Sequence, residues 1–121
     1  MARVVLDDRD IVFRLAWWEW PAARRREVRV PVSALRDAHV EPDWWRALRG
    51  EAGRGLWLPG RCVGVRHLPE GRDFVAVRAG RPVLCVDLRR GAPFLRLAAS
   101  VPDAEAALET LLPLVPRDRL D

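Results

Sequence analysis

The chain contains no Lys, Asn, Gln or Tyr, and Ile and Thr occur once each. All 21 basic residues are therefore Arg, set against 17 acids for a net charge of +4. The missing residue types are spelled largely by AT-rich codons, so GC-rich coding accounts for the bias and arginine abundance alone is weak ground for a nucleic-acid role. A groove-reading protein also needs its basic residues clustered on one surface. The one dense cluster is Arg24, Arg25 and Arg26, with Arg29 beyond it.

Long apolar runs are missing too. No stretch approaches the roughly 20 residues needed to cross a bilayer as a helix. The N-terminus has no basic region followed by an apolar segment and a cleavage site, which predicts a cytoplasmic protein. Hydroxyl side chains are scarce, with Ser33, Ser100 and Thr110 as the full set. Ser100 reads as a helix cap, and neither Cys62 nor Cys85 lies near a His motif that would activate a thiolate. His39 and His67 are the only histidines, and without a Cys pair or dense carboxylates they predict no metal site. These scarcities predict a non-enzymatic protein with no catalytic residues and no cofactor. Cys62 and Cys85 fall in apolar strand patterns, where a reduced, buried thiol is the ordinary state.

What the sequence does have is order. Its 121 residues, half of them hydrophobic, suffice for one core and predict a single domain over residues 1–121. Seven short alternating or near-continuous apolar stretches fill residues 11–99, and an amphipathic helix follows over 101–112. Val4 to Leu6 and the run Ile11 to Trp20 flank a polar turn and read as a hairpin. Val28, Val30 and Val32 alternate with Glu27 and Arg29 as a half-buried strand. A parity change after Leu35 predicts a bulge near Arg36 and Asp37. Pro42 and Asp43 open a helical turn through Trp44 to Leu48. The glycines and prolines from Gly50 to Gly60 predict an irregular connection.

Four runs, Cys62 to His67, Asp73 to Arg78, Pro82 to Leu88 and Pro93 to Ala99, are separated by turn residues and predict an antiparallel meander. Ser100 and Asp103 resemble a capping box ahead of a stripe of Ala104, Leu108, Leu111 and Leu112. The fold class is mainly β with a C-terminal helix.

The segments Arg29-Val30-Pro31-Val32-Ser33, Gly71-Arg72-Asp73-Phe74-Val75-Ala76-Val77, Pro82 to Leu88 and Ser100-Val101-Pro102-Asp103 resemble small pleckstrin-homology-like (PH-like) proteins of actinomycete-type bacteria. The resemblance covers residues 11–112. It implies a barrel of two packed antiparallel sheets, about seven strands, capped by one helix. It further implies binding without catalysis, through loops at the open end, an exposed sheet edge or a groove beside the helix. In phosphoinositide-binding members a basic residue precedes a basic-x-basic pattern, which Arg14 with Arg24 and Arg26 can supply.

Two clusters are candidate sites. Trp44, Trp45 and Trp57 would anchor a protein partner, since Trp is enriched at binding hot spots and adjacent Trp44 and Trp45 cannot both point inward. Trp17, Trp18 and Trp20, beside Arg24, Arg25 and Arg26, would suit an anionic membrane surface. For Trp17, Trp18 and Trp20 the favoured reading is core or loop packing, with Trp18 and Trp20 sharing the core face and Trp17 under a neighbouring loop; for Trp44, Trp45 and Trp57 it is packing between the helical turn and the Gly-rich segment. A protein partner is the leading expectation, an anionic membrane the alternative, and single-stranded nucleic acid the least favoured. Unpaired sheet edges also admit a homodimer.

Overall fold

The computed structural model describes residues 1–116. Its strands form two sheets. The smaller contains β1 (Arg3–Asp7), β2 (Asp10–Arg14) and β3 (Glu27–Pro31), in that order. The larger has six strands in the order β4 (Leu35–Glu41), β8 (Val83–Leu88), β9 (Arg96–Ala99), β7 (Gly71–Arg78), β6 (Arg61–Leu68) and β5 (Glu51–Leu58). A short helix α1 (Trp20–Ala23) lies against β5 and β6, and α2 (Ala104–Leu111) lies against β4 and β8.

The mainly β class with a C-terminal helix is as expected, whereas among the described residues the strand count is nine and the sheets do not close into one barrel. Ile11, Phe13, Val28 and Val30 from the small sheet meet Leu35, Phe74, Leu84, Val86 and Leu97 from the large one, and α2 adds Ala104 and Leu111. The opposite face of the large sheet carries a second cluster of Val75, Val77, Val83, Cys85 and Ala98. Burial on both faces explains why β7 and β8 read as near-continuous apolar runs.

The expected meander is replaced by a crossover. β9 lies between β7 and β8, parallel to β7 and antiparallel to β8. The turn from β7 to β8 therefore skips one strand position, about 10 Å. Residues 79–82 are long enough for that, at roughly 3.3 Å each when extended. The bulge expected near Arg36 and Asp37 is present, as a register shift between Leu35 and Asp37.

The predicted second strand is shorter than its apolar run. It ends at Arg14, because the Glu19 carboxylate accepts the Ala16 N–H at 2.7 Å and closes a 3₁₀ turn over Trp17–Glu19. Pro21 then continues the turn as α1, a position where its missing N–H costs nothing. Trp18 and Trp20 consequently do not share a strand face.

The segment expected to be an irregular connection contains β5. Gly55 pairs with Gly64 of β6, both at positive φ, and a Cβ on either would run into the other strand's backbone, at Val63 O and Arg54 O. Glycine here permits close pairing instead of breaking it. Asp103, not Ser100, caps α2 by accepting the Ala106 N–H at 3.1 Å. The Ser100 hydroxyl accepts the Arg78 N–H at 2.9 Å and donates to the Arg78 carbonyl, tying the end of β9 to β7. The helix itself starts at Ala104, where its apolar stripe begins and three residues later than the expected start at Val101.

Candidate functional site: an edge-strand groove and two basic faces

In the small sheet β1 has one hydrogen-bonded neighbour, β2, so its other side presents backbone groups toward α2. Between them runs a groove of about 370 Å³, with Arg3, Val4 and Val5 on the strand wall and Val101, Ala106, Ala107 and Thr110 on the helix wall. A further pocket of about 50 Å³ continues it, between Val4 to Leu6 and Ala107, Thr110 and Leu111. The helix wall is low because its residues are small. Thr110 Oγ1 donates to the Ala106 carbonyl at 3.2 Å, which turns its hydroxyl proton back into the helix.

The predicted tryptophan and arginine candidates separate into two places. Trp17 is exposed, at 75 % of its full accessibility. Trp18 and Trp20 are half-buried against the main core. The Trp20 indole donates to Leu15 O at 3.0 Å, the Arg26 guanidinium stacks 4.6 Å from its ring centroid, and Arg61 stacks 5.1 Å from Trp18. Arg24 sits in the left-handed region at φ 57, ending α1. Arg25 lies over the rings of Phe74 and Phe94, at 5.9 and 5.6 Å. Arg14 is exposed opposite Glu27, one ladder step from Arg26, whose carbonyl accepts the Leu15 N–H. Arg29 is already committed to Asp7, Asp10 and Glu27 at 3.1, 3.1 and 3.2 Å.

The second set lies across the large sheet. Trp44 and Trp57 pack on its outer-face cluster, while Trp45 is 56 % exposed and meets Trp44 edge-on with ring centroids 6.0 Å apart. Trp57 donates its indole N–H to Gly53 O at 2.9 Å, so its orientation is fixed within β5.

A third arrangement was not legible in the sequence. Arg36, Arg49, Arg72, Arg89 and Arg90 converge on a cavity of about 610 Å³ where the corner of β4, the turn before β7 and the loop after β8 come together. A neighbouring cavity of about 390 Å³ has Arg24, Arg25, Arg54 and Arg72 on its walls. Arg24–Arg25 and Arg89–Arg90 are adjacent in sequence, but Arg36, Arg49, Arg54 and Arg72 are scattered, so spacing held no signal for their convergence.

The residues with catalytic potential are spread apart. Cys62 and Cys85 are free thiols; burial pushes Cys85 up to about 11 and raises Cys62, so neither is an available thiolate at neutral pH. Among the described residues, no three His, Cys, Asp or Glu side chains converge as metal ligands, and no helix is long and apolar enough to cross a membrane.

The buried acid in the Trp-rich turn is Glu19. Burial raises its pKa, while the Ala16 N–H pulls it down by a smaller amount. A carboxyl whose folded pKa exceeds its unfolded value binds its proton more tightly in the fold, so its contribution to stability grows as pH falls through that folded pKa and is lost as pH rises. Relative to Glu19→Gln, the wild type is therefore expected to gain stability between neutral pH and about pH 4.3, the unfolded Glu value. Urea midpoints of both proteins across that window check this: a constant difference contradicts it.

Compared with models of protein families, with curated proteins and with solved structures, the chain matches none.

Proposed function

We propose that this chain is a non-enzymatic binding module that takes an extended segment of a protein partner between β1 and α2. The observation that carries this reading is the groove of about 370 Å³ beside an edge strand with one hydrogen-bonded neighbour. Backbone pairing to β1 supplies affinity, and the apolar walls select alternate side chains of the incoming strand. A sheet edge beside a terminal helix is also among the surfaces the PH-like resemblance implies. A second copy of the chain is one such partner, and it would dimerise through the same edge.

Ala107→Arg places a long side chain in the groove from a helical position that tolerates Arg well. It is expected to cost about 2 kcal/mol or more of partner binding, the scale of a hot-spot loss; because Ala107 is half-buried against the main core, binding is compared where thermal melts show both proteins folded. Binding is checked by titrating the partner segment into wild type and variant. Trp45→Ala is the companion variant: loss there with full binding by Ala107→Arg moves the site to the aromatic face of the large sheet and overturns the groove reading.

A second reading is favoured by one observation, the exposure of Trp17 on the turn that leads into Arg24, Arg25 and Arg26. An aromatic ring at headgroup level and basic residues worth about 1 kcal/mol each would give weak, salt-sensitive attachment to anionic membranes. On this reading, vesicles of phosphatidylserine and phosphatidylcholine sediment the protein at low salt, and Trp17→Ala together with neutralisation of the three arginines abolishes it. No sedimentation even at low salt removes the membrane reading. Single-stranded nucleic acid is the weakest candidate, because Arg29, Arg49 and Arg96 are spent on carboxylates within the fold.

A further inference from the structure

We propose that the arginine-lined cavity of about 610 Å³ at the start of β7 is a binding site for a multiply charged phosphate-bearing anion. Arg49 is neutralised by Asp73, to which its Nε and Nη2 each donate at 2.8 Å, and Asp87 is neutralised by Arg96 at 2.6 Å. That leaves Arg36, Arg72, Arg89 and Arg90 on the walls with Glu70 as the one remaining acid. None of these four guanidiniums has a carboxylate within 4.0 Å among the described residues. Like charges gathered in a concave space repel one another, and an anion of two or more charges relieves that repulsion.

Guanidinium chemistry narrows the ligand. Each Arg presents a planar fork of donors that matches two oxygens of a phosphate. Several forks around one cavity favour a group with many oxygens, such as a diphosphate or a phosphorylated sugar, over a single carboxylate. The volume falls within the roughly 300–1,000 Å³ of small-molecule sites.

The stems of these arginines start from fixed backbone. Arg89 N–H donates to Ala34 O at 2.7 Å, Leu88 N–H to Leu95 O at 2.9 Å, and Leu95 N–H to Arg72 O at 2.7 Å. These bonds join the loop after β8 both to the corner before β4 and to the start of β7. Arg72 is held by stacking 5.1 Å from the centre of the Phe94 ring, which Arg25 also meets. Arg72 lies on the walls of both basic cavities, so Arg24, Arg25 and Arg54 extend the same positive field. Such a field raises the local concentration of an anion before contact.

The test is calorimetric titration with inorganic pyrophosphate at moderate salt. Arg89→Ala/Arg90→Ala is expected to weaken binding at least tenfold, whereas Arg78→Ala/Arg81→Ala, with the same charge change at the opposite end of β7, changes it less than twofold. All four side chains are outside the core, so thermal midpoints should stay close to wild type and a folding defect is separable. Equal losses in the two double variants, or no heat from the wild type, overturn the site. The source of the phosphate is read with vesicles matched in charge. Capture by phosphatidic acid and not by phosphatidylserine, reversed by pyrophosphate, assigns a lipid headgroup to the cavity; pyrophosphate binding without vesicle capture assigns a soluble ligand.

Discussion

Arg49→Met is expected to lower folding stability by about 2–3 kcal/mol, because it strands a buried Asp73, while the 35 % exposure of the Arg49 side chain keeps the loss below that for a fully buried pair. Asp73 has no solvent-accessible surface, and both its oxygens accept from Arg49 at 2.8 Å. The hydrogen bonds to Asp73 hold the Arg49 guanidinium above its already high pKa, so it stays charged at any working pH. Arg66 adds a second tie, donating to the carbonyls of Arg49 and Gly50 where the chain enters β5. Met keeps much of the Arg stem's apolar volume, so the loss should come from the charge and not from a cavity. Asp73→Leu/Arg49→Met removes both charges and should recover most of the stability, because well-packed apolar residues commonly replace buried pairs at little cost. Urea unfolding of the three proteins checks this. A single variant no less stable than the double one contradicts the pairing.

Leu111→Ala is expected to cost about 2–5 kcal/mol, the range for deleting a buried Leu side chain. Leu111 is 1 % exposed and joins α2 to the main core, whereas Leu108 is only partly buried against it. Leu108→Ala should therefore cost clearly less. Leu111 also lines the small pocket that continues the groove beside β1. A Leu111→Ala protein that still folds should bind its partner more weakly, because the strand and helix walls lose their shared support. Thermal midpoints of the two variants rank the helix contacts, and equal values would contradict the burial pattern.

Much of the fold was legible from periodicity. Val28 and Val30 face the core and Arg29 faces solvent, as strict alternation requires, and the parity change after Leu35 located the bulge. The failures have local physical causes. Trp17 to Trp20 looked like strand because large aromatics favour pleated surfaces, yet a single carboxylate contact from Glu19 to the Ala16 N–H, with Pro21 following, turns the chain into helix. Gly53 and Gly55 looked like loop punctuation, since turn and close-approach glycines are identical in sequence. β9 pairs with β8 across their own connection, but its place between β7 and β8 depends on parallel pairing with β7, with which it shares no turn.

The candidate residues divide in the same way. Adjacent Trp44 and Trp45 had to diverge on a helical turn, and they do, with Trp45 outward. The meeting of the adjacent pair Arg89 and Arg90 with Arg36 and Arg72 carried no local signal, because three separate connections bring them together. The groove beside β1 was legible only in outline, as an edge and a helix; the small helix residues Ala106 and Ala107 that open it read as ordinary parts of an amphipathic pattern.

The most direct test of the binding reading places a photo-cross-linking phenylalanine analogue at Val5, inside the groove, and at Arg81, on the far turn before β8, in the native cell. The cross-linked partner segment is sequenced, synthesised and added to the purified protein while amide exchange is followed along β1. The groove reading predicts an adduct from Val5 and not from Arg81, slowed exchange of the outward β1 amides on adding the segment, and loss of both in Ala107→Arg. Unprotected β1 amides in the presence of a bound segment, or an adduct that survives Ala107→Arg, would contradict it.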